Sequence, residues 1–463
     1  MGIHQTHKNQ LPGLNHLSLV DARLGDLVMP DRLLRAHPKE QINKIARSIE
    51  EFGFVTPILV DSRNNIVAGV ARVMAARQLG LGSAPAIRIE HLTDAQIRVF
   101  RIADNRLCED ANWDRGALKL EIEALLSLDI DLGLTGFEMG EIDVLLDEET
   151  PAERDSQLPE TPTTPVSEVG DIWTIGDHTL ICGDATRPET YALLGESPVD
   201  AVFTDAPYNV KIDKNVCGLG KVRHDEFVQA SGEMSLEEFA SFLRSVHDRL
   251  AENTKHGGVI FSCMDWRSIS PLILAGEDAG LELINLAVWD KGVGGMGSLY
   301  RSQHELICVF KKPGASHTNN VELGKHGRNR TNVWPYAGMN SGTKERGELL
   351  KLHPTVKPAA MVTDAIKDVT NRGDHILDCF GGSGTTMVAA QECGRSATLI
   401  ELDPKYVDVI IERMSETFGI TATLHDTDES FEAVRARRVP PTSAPLISEQ
   451  SLPNGHKGVS NDQ

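Results

Sequence analysis

The sequence predicts an α/β protein, a mostly parallel sheet flanked by helices, with a smaller α+β unit ahead of it. Three observations carry this. Beyond residue 168, short apolar runs rich in Val, Ile and Phe alternate with amphipathic stretches, as buried parallel strands and their crossover helices do. One run, Ile376-Leu377, passes through a glycine-rich turn straight into a helical stretch. Before residue 168 lies a segment of low hydrophobicity with Pro151, Pro159, Pro162 and Pro165, the composition of a linker.

The elements follow in order. Residues 1–17 read as a flexible start, and 18–107 as a compact unit. Ile42, Ala46 and Ile49 share one face of a helix over 42–49 that Gly53 stops. Residues 56–60 and 66–68 read as strands joined by an Asn64-Asn65 turn. A helix from Val70 to Leu79 ends at Gly80, and Ala86–Ile89 is a third strand. Residues 108–148 form a helical extension that includes Leu118–Leu126 and Glu141–Leu146, and 149–167 the linker. In 168–420 the strand candidates are 201–203, 259–261, 287–289, 306–310, 376–377 and 397–400. The helix candidates are 236–250, 359–370, 385–392 and 405–417. The Pro-, Ser- and Gly-rich tail 438–463 is expected to be disordered.

Composition narrows the function. A chain of 463 residues has room for about three domains. No run approaches the ~18 apolar residues of a membrane span, and the first residues lack the apolar core of a signal peptide. Seven cysteines with no CxxC pair argue against a zinc site and for a reducing, cytoplasmic setting. The balance of 46 basic to 67 acidic residues, net −21, suits an enzyme. The negative charge is uneven, however. Residues 291–351 hold 10 Lys and Arg against 4 Asp and Glu, so this stretch could face phosphate. Lys325, Arg328 and Arg330 are its candidate phosphate contacts.

Three motifs carry chemistry. Asp378-Cys379-Phe380-Gly381-Gly382-Ser383-Gly384-Thr385 joins a strand to a helix, where backbone and free N–H groups can approach a ligand. The next strand ends at Glu401, the place from which a nucleotide-type ribose is held. The loop lacks the lysine of a phosphate-binding P-loop. Asp205-Ala206-Pro207-Tyr208 follows the strand at 201–203, offering a carboxylate for an amino group and a ring for a planar base. His353-Pro354-Thr355-Val356-Lys357-Pro358 precedes the helix at Ala359.

Together these motifs resemble the beta-class DNA amino-methyltransferases, which modify adenine N6 or cytosine N4 with S-adenosylmethionine. Residues 205–208 match the family's D-P-P-Y tetrad, Phe380, Gly382 and Gly384 its F-x-G-x-G loop, and 353–358 its HPTxKP segment. Gly183-Asp184, Tyr300–Glu305 and Asn332-Val333-Trp334 also look like this family, over about 168–420. The resemblance implies a Rossmann-like S-adenosylmethionine-dependent methyltransferase sheet, with 291–351 including target-recognition elements. It assigns Asp205 and the carbonyl of Ala206 as acceptors for the target amino group and Tyr208 as the platform for a flipped base. It implies a cofactor set of Asp184, Asp378, Phe380, Gly381, Gly382, Ser383, Gly384, Thr385, Glu401 and Lys357, and no metal. One position departs: Ala206 replaces the tetrad's first proline, which keeps the carbonyl and loses the fixed φ.

Residues 18–107 resemble the ParB-like nuclease/partition-protein N-terminal domain, through 54–60, Ala68-Gly69-Val70-Ala71-Arg72 and Ala75-Ala76. Only Gly69 and Arg72 match its G-E-R-R-type signature, so no nucleotide hydrolysis is expected. The expectation is a site-specific DNA adenine-N6 methyltransferase. Cytosine-N4 transfer and a catalytically weakened DNA-binding regulator are the alternatives, and RNA is not excluded as substrate. DNA is the expected partner, a homodimer is one option, and no membrane is involved.

Overall fold

The computed structural model describes residues 17–128, 130–147, 158–194, 197–209, 232–294, 299–321, 328–338 and 356–439. The chain divides into two units, at Asp147/Glu148.

In the first unit a four-stranded sheet has the order β1-β4-β2-β3, with β1 Leu17–Arg23, β2 Ile58–Asp61, β3 Ile66–Ala68 and β4 Ser83–Ile89. Strand β1 was not legible in the sequence. It is an edge strand whose Leu17 and Leu19 face out, so no buried alternation marks it. Helix α1, Lys39–Phe52, lays Ile42 and Ala46 against Ala75 of α2, Val70–Gln78. Gly69 sits at φ 94° at the start of α2, where a Cβ would come within 2.9 Å of Ile58. Arg72 donates to the carbonyls of Thr56 and Pro57 at 2.9 and 3.1 Å. Helix α3, Asp94–Leu107, opens on a Thr93/Gln96 capping box. Helices α4, Arg115–Leu126, and α5, Met139–Leu146, close over Ile122, Leu132 and Ile142.

The second unit is a ten-stranded sheet. Its strands are β5 Ile172–Ile175, β6 His178–Cys182, β7 Val199–Thr204, β8 Thr254–Met264, β9 Glu282–Asp290, β10 His304–Lys311, β11 Val333–Pro335, β12 His375–Asp378, β13 Ser396–Glu401 and β14 Ala422–Leu424. The order is β11-β9-β10-β8-β7-β12-β13-β6-β5-β14. The five central strands, β8 to β6, run parallel, and β10 returns antiparallel to β8. Both faces are covered. Helices α6, Leu236–Asn253, and α7, Ile269–Asp278, pack on the face that carries Val202 and Leu377. Helices α8, Ala359–Val369, α9, Thr385–Glu392, and α10, Pro404–Phe418, pack on the face of Ala201, Phe203 and Ile376. Burial on both faces is why these strands read as continuous apolar runs.

The structure corrects two boundaries. The unit does not stop at residue 420, because β14 pairs with β5 and α11, Phe431–Arg438, sets Phe431 edge-on against Trp173 at 5.3 Å. Residues 440–463 of the expected tail lie outside the described residues. Nor is all of 149–167 linker: Val166 and Ser167 are buried, and both bind the Asp408 carboxylate. Among the described residues no helix is long and apolar enough to cross a membrane.

Candidate active site

The chain leaves β7 toward β8 on one side and leaves β12 toward β13 on the other, so a crevice opens where these two neighbouring strands end. The motifs at Asp205, Asp378, Glu401 and Asp184 leave the C-terminal ends of β7, β12, β13 and β6, four adjacent parallel strands. Sequence order hides this arrangement, and the sheet produces it.

On the β7 side, Asp205 is held at both oxygens. The Lys357 ammonium donates to Oδ2 at 2.5 Å, and the Tyr208 hydroxyl donates to Oδ1 at 2.7 Å. Glu305 enters from the start of antiparallel β10, whose register (Leu306 opposite Met264) brings it to the same edge. Its Oε2 lies 3.1 Å from Lys357 Nζ and 3.2 Å from the Tyr208 hydroxyl, and its Oε1 lies 2.5 Å from Lys291 Nζ. Two lysines and two carboxylates thus balance in a largely buried quartet. Burial alone would raise the Glu305 pKa, but Lys357 and Lys291 hold it down to about 2. The Lys357 pKa is raised: burial works against its charge, and Asp205 and Glu305 outweigh burial. Burial, then the charges of Asp205 and Glu305, push the Tyr208 phenol well above its usual range.

Lys357, expected among the cofactor ligands, has its ammonium on Asp205, Tyr208 and Glu305 instead. Lys291 was not singled out in the sequence, and Glu305 only as part of a resembling stretch. Their partners come from a neighbouring strand and a distant helix entry, which no local pattern announces. Asn209, next to the tetrad, was also missed. It sits at φ 55°, and its amide accepts from Gly232 and Met234 and donates to the Met234 carbonyl, fixing the entry to α6. Ala206 is buried in the core on the α6 face, and Pro207 after it is half-buried.

On the β12 side, Asp378 caps its own loop. It accepts from the Phe380 N–H at 3.0 Å and the Thr386 hydroxyl at 2.6 Å, and burial lifts its pKa to about 7. Gly382 and Gly384 hold φ of 51° and 80°, which side chains resist. A Cβ at Gly384 would press on Ile410 at 3.1 Å, whereas one at Gly382 would meet only the Phe380 carbonyl oxygen, at 3.9 Å. Gly381 packs toward Ile410 and Leu399. The Phe380 ring lies 5.9 Å from Phe242. Ser383 and Thr385 are tied to Arg413 of α10, through the Ser383 carbonyl at 2.9 Å and the Thr385 hydroxyl at 3.2 Å. Glu401 accepts from the Gly382 N–H through Oε2 and the Asp403 N–H through Oε1, both at 2.8 Å, and burial raises its pKa to about 7. Asp184 turns its own chain, accepting from the Thr186 N–H and hydroxyl at 2.9 and 2.7 Å.

The basic stretch needs correction. Arg328 is buried, and its guanidinium pairs with Asp368 at 2.8 Å and Asp364 at 3.2 Å. Arg330 pairs with the same two carboxylates, both at 2.7–2.8 Å, donates to the Tyr336 hydroxyl, and lies over the Trp334 ring. These charges fasten 328–336 to α8 and are not free for phosphate. Lys325 and His353–Thr355 lie outside the described residues. Among the described residues no group of three His, Cys, Asp or Glu side chains could hold a metal ion.

Comparison with known proteins gives three family matches. Residues 199–412 match a family described as DNA methylase, 25–106 the ParB N-terminal domain, and 116–169 the ParB-methyltransferase HTH domain. The last covers what the sequence suggested only as a helical extension and linker. The Type II methyltransferase M.HpaI of Haemophilus parainfluenzae is 26% identical over 296 residues, 60% of this chain and 85% of the relative. M.ScaI of Streptomyces caespitosus is 25% identical over 242 residues, 46% of this chain and 74% of the relative. Among solved structures, the PvuII DNA methyltransferase (cytosine-N4-specific) is 17% identical, with 60% of this chain and 94% of that chain covered and a TM-score of 0.40.

Proposed function

From the premise that the chain is a DNA methyltransferase of the N6/N4 family with ParB-type modules at its N-terminus, we propose that it methylates the exocyclic N6 of adenine at a specific DNA sequence, with S-adenosylmethionine as donor. The observation that carries this is the adjacency of β7 and β12, Val202 opposite Leu377, which sets the acceptor Asp205 beside the glycine-rich loop. The aspartate at the head of the tetrad favours adenine.

The loop's shape and donor set suit the cofactor. The light crowding at Gly382, where a Cβ would meet only the Phe380 carbonyl oxygen at 3.9 Å, suits a ligand lying against the backbone. In this reading Glu401 accepts from ribose hydroxyls, Asp184 from an adenine amino group, and Phe380 to Thr385 wrap the methionine part. When bound, S-adenosylmethionine supplies an electrophilic methyl group. Asp205 and the Ala206 carbonyl accept hydrogen bonds from the target amino group, which turns its lone pair toward the methyl group. Tyr208 supports the flipped base by stacking. Lys357 fixes the Asp205 carboxylate, so positioning and charge placement supply the rate. No enzyme nucleophile is required.

The N-terminal unit we read as a DNA-positioning module. The commitment of Arg72 to two backbone carbonyls supports a structural use of that residue. The M.HpaI and M.ScaI likeness suggests a restriction-modification setting.

The test is transfer of labelled methyl to unmethylated DNA, followed by digestion to nucleosides, for the chain as it stands and for Ala206→Pro. Label in N6-methyladenine with both supports the reading and shows that the carbonyl at 206 suffices. Label in N4-methylcytosine moves the target to cytosine. Label only with Ala206→Pro identifies an impaired catalytic loop, and label with neither favours a DNA-binding regulator.

A further inference from the structure

The Tyr208 hydroxyl has one proton and faces two carboxylates. It donates to Asp205 Oδ1 at 2.7 Å while Glu305 Oε2 waits at 3.2 Å, and it accepts from Lys357 at 3.1 Å. Asp205 Oδ2 is already taken by Lys357. The oxygen that would receive a target amino group therefore already accepts from the side chain that would stack on the base, and the two donors would share it.

We infer that Glu305 is a positioning residue that takes over the Tyr208 hydroxyl as the base arrives, releasing Asp205 Oδ1 for the amino group. The inference rests on the methyl-transfer reading above. Glu305 is suited to the task because Lys291 and Lys357 hold it in place and ionised, so it is an acceptor across the neutral range. It also divides the charge of Lys357. Without Glu305, Lys357 would neutralise Asp205 alone and weaken it as an acceptor. Trp289 steadies the arrangement. Both lysine ammonium groups lie over its ring, at 4.7 and 5.8 Å, and its Nε1–H donates to the Tyr336 carbonyl at 2.8 Å.

The test uses the full chain, labelled S-adenosylmethionine and unmethylated DNA, read as single-turnover rates with cofactor Kd measured beside them. Glu305→Gln is expected to lower the rate by about tenfold or more, the size of one misdirected hydrogen bond, with Kd unchanged. Adding Tyr208→Phe to Glu305→Gln should restore several-fold of that loss, because the competing hydroxyl is gone. A merely structural Glu305 would show no such rescue. A Gln variant as fast as the unaltered chain, or a double variant no faster than Glu305→Gln, overturns the inference. Should Glu305→Gln not fold, Glu305→Asp, which keeps the charge and withdraws the acceptor, takes its place in the same comparison. An unaltered chain that transfers nothing fails at the methyl-transfer reading, a result distinct from loss in the variants alone.

Discussion

Asp205 and Glu401 are both carboxylates in the same crevice, yet their surroundings give them different work. Asp205 is matched by a lysine, and its removal leaves the glycine-rich loop untouched. Asp205→Ala should therefore abolish methyl transfer while cofactor binding stays nearly intact, measured by calorimetry beside the transfer assay. Persistent transfer would displace Asp205 as the acceptor. Glu401 has no cation among the groups that set its pKa. Burial first, then nearby Asp403, raises it to about 7, against the pull of its backbone donors. Ribose hydroxyls that donate to it would favour the ionised form. Cofactor affinity is accordingly expected to weaken as pH falls through about 7 and to level off above it. Asp378 is raised to about 7 as well, but its oxygens are spent on Phe380 and Thr386 within the loop. Glu401→Gln tells the two apart: the pH dependence should vanish in this variant if Glu401 carries it, and survive if Asp378 does.

At the scale of elements, the glycine-rich loop and helix α8 show two kinds of constraint. Gly382→Ala adds a Cβ that meets the protein only at the Phe380 carbonyl oxygen, 3.9 Å away, at a φ that costs about 1 kcal/mol. It should lower Tm slightly and cofactor affinity sharply, whereas loss of folding with no separate effect on binding would place the ligand elsewhere. Helix α8 carries Asp364 and Asp368 one turn apart, and both Arg328 and Arg330 close on them. Arg328→Ala leaves buried Asp368 and half-buried Asp364 to share Arg330 alone, one carboxylate charge uncompensated, and should cost about 3 kcal/mol, seen as a drop in Tm. The salt dependence of DNA binding should stay the same, in contrast to a phosphate contact. Central strands β7, β8, β12 and β13 were legible because burial on both faces writes itself as apolar runs, whereas β6, also central, was not found. The tetrad and the glycine-rich loop were legible because strand-end chemistry is local. Edge strands such as β1 and β14 were not, since one-sided pairing leaves little pattern. The arginines were misread for a related reason: net charge along the chain cannot show that their partners sit 34–40 residues later. Two aspartates at i, i+4 on an otherwise buried helix were the available signal.

For the whole molecule, the question is where the catalytic unit can be cut. Contacts divide the chain at Asp147/Glu148, but the sheet's own anchor lies further on. Asp408, buried on α10, accepts from the Val166 N–H at 2.6 Å, the Ser167 N–H at 3.0 Å and the Ser167 hydroxyl at 2.6 Å. Leu158 packs with Val356, next to Lys357 of the quartet. Residues 158–167 thus belong physically to the methylase unit, although their prolines mark them as linker and the HTH match extends to 169. A fragment of residues 158–463 should unfold cooperatively and bind S-adenosylmethionine as the full chain does. One that begins at residue 172 strands the Asp408 carboxylate without its three donors. Its burial already raises the Asp408 pKa, and losing those donors raises it further. That shorter fragment should be less stable above the Asp408 pKa, where the unfolded chain gains from ionisation, and part of the loss should return on acidification. Chemical denaturation of both fragments across pH 4 to 8 reads this directly. Equal stability at every pH would show that the segment before β5 is dispensable, and that the unit begins at the strand itself.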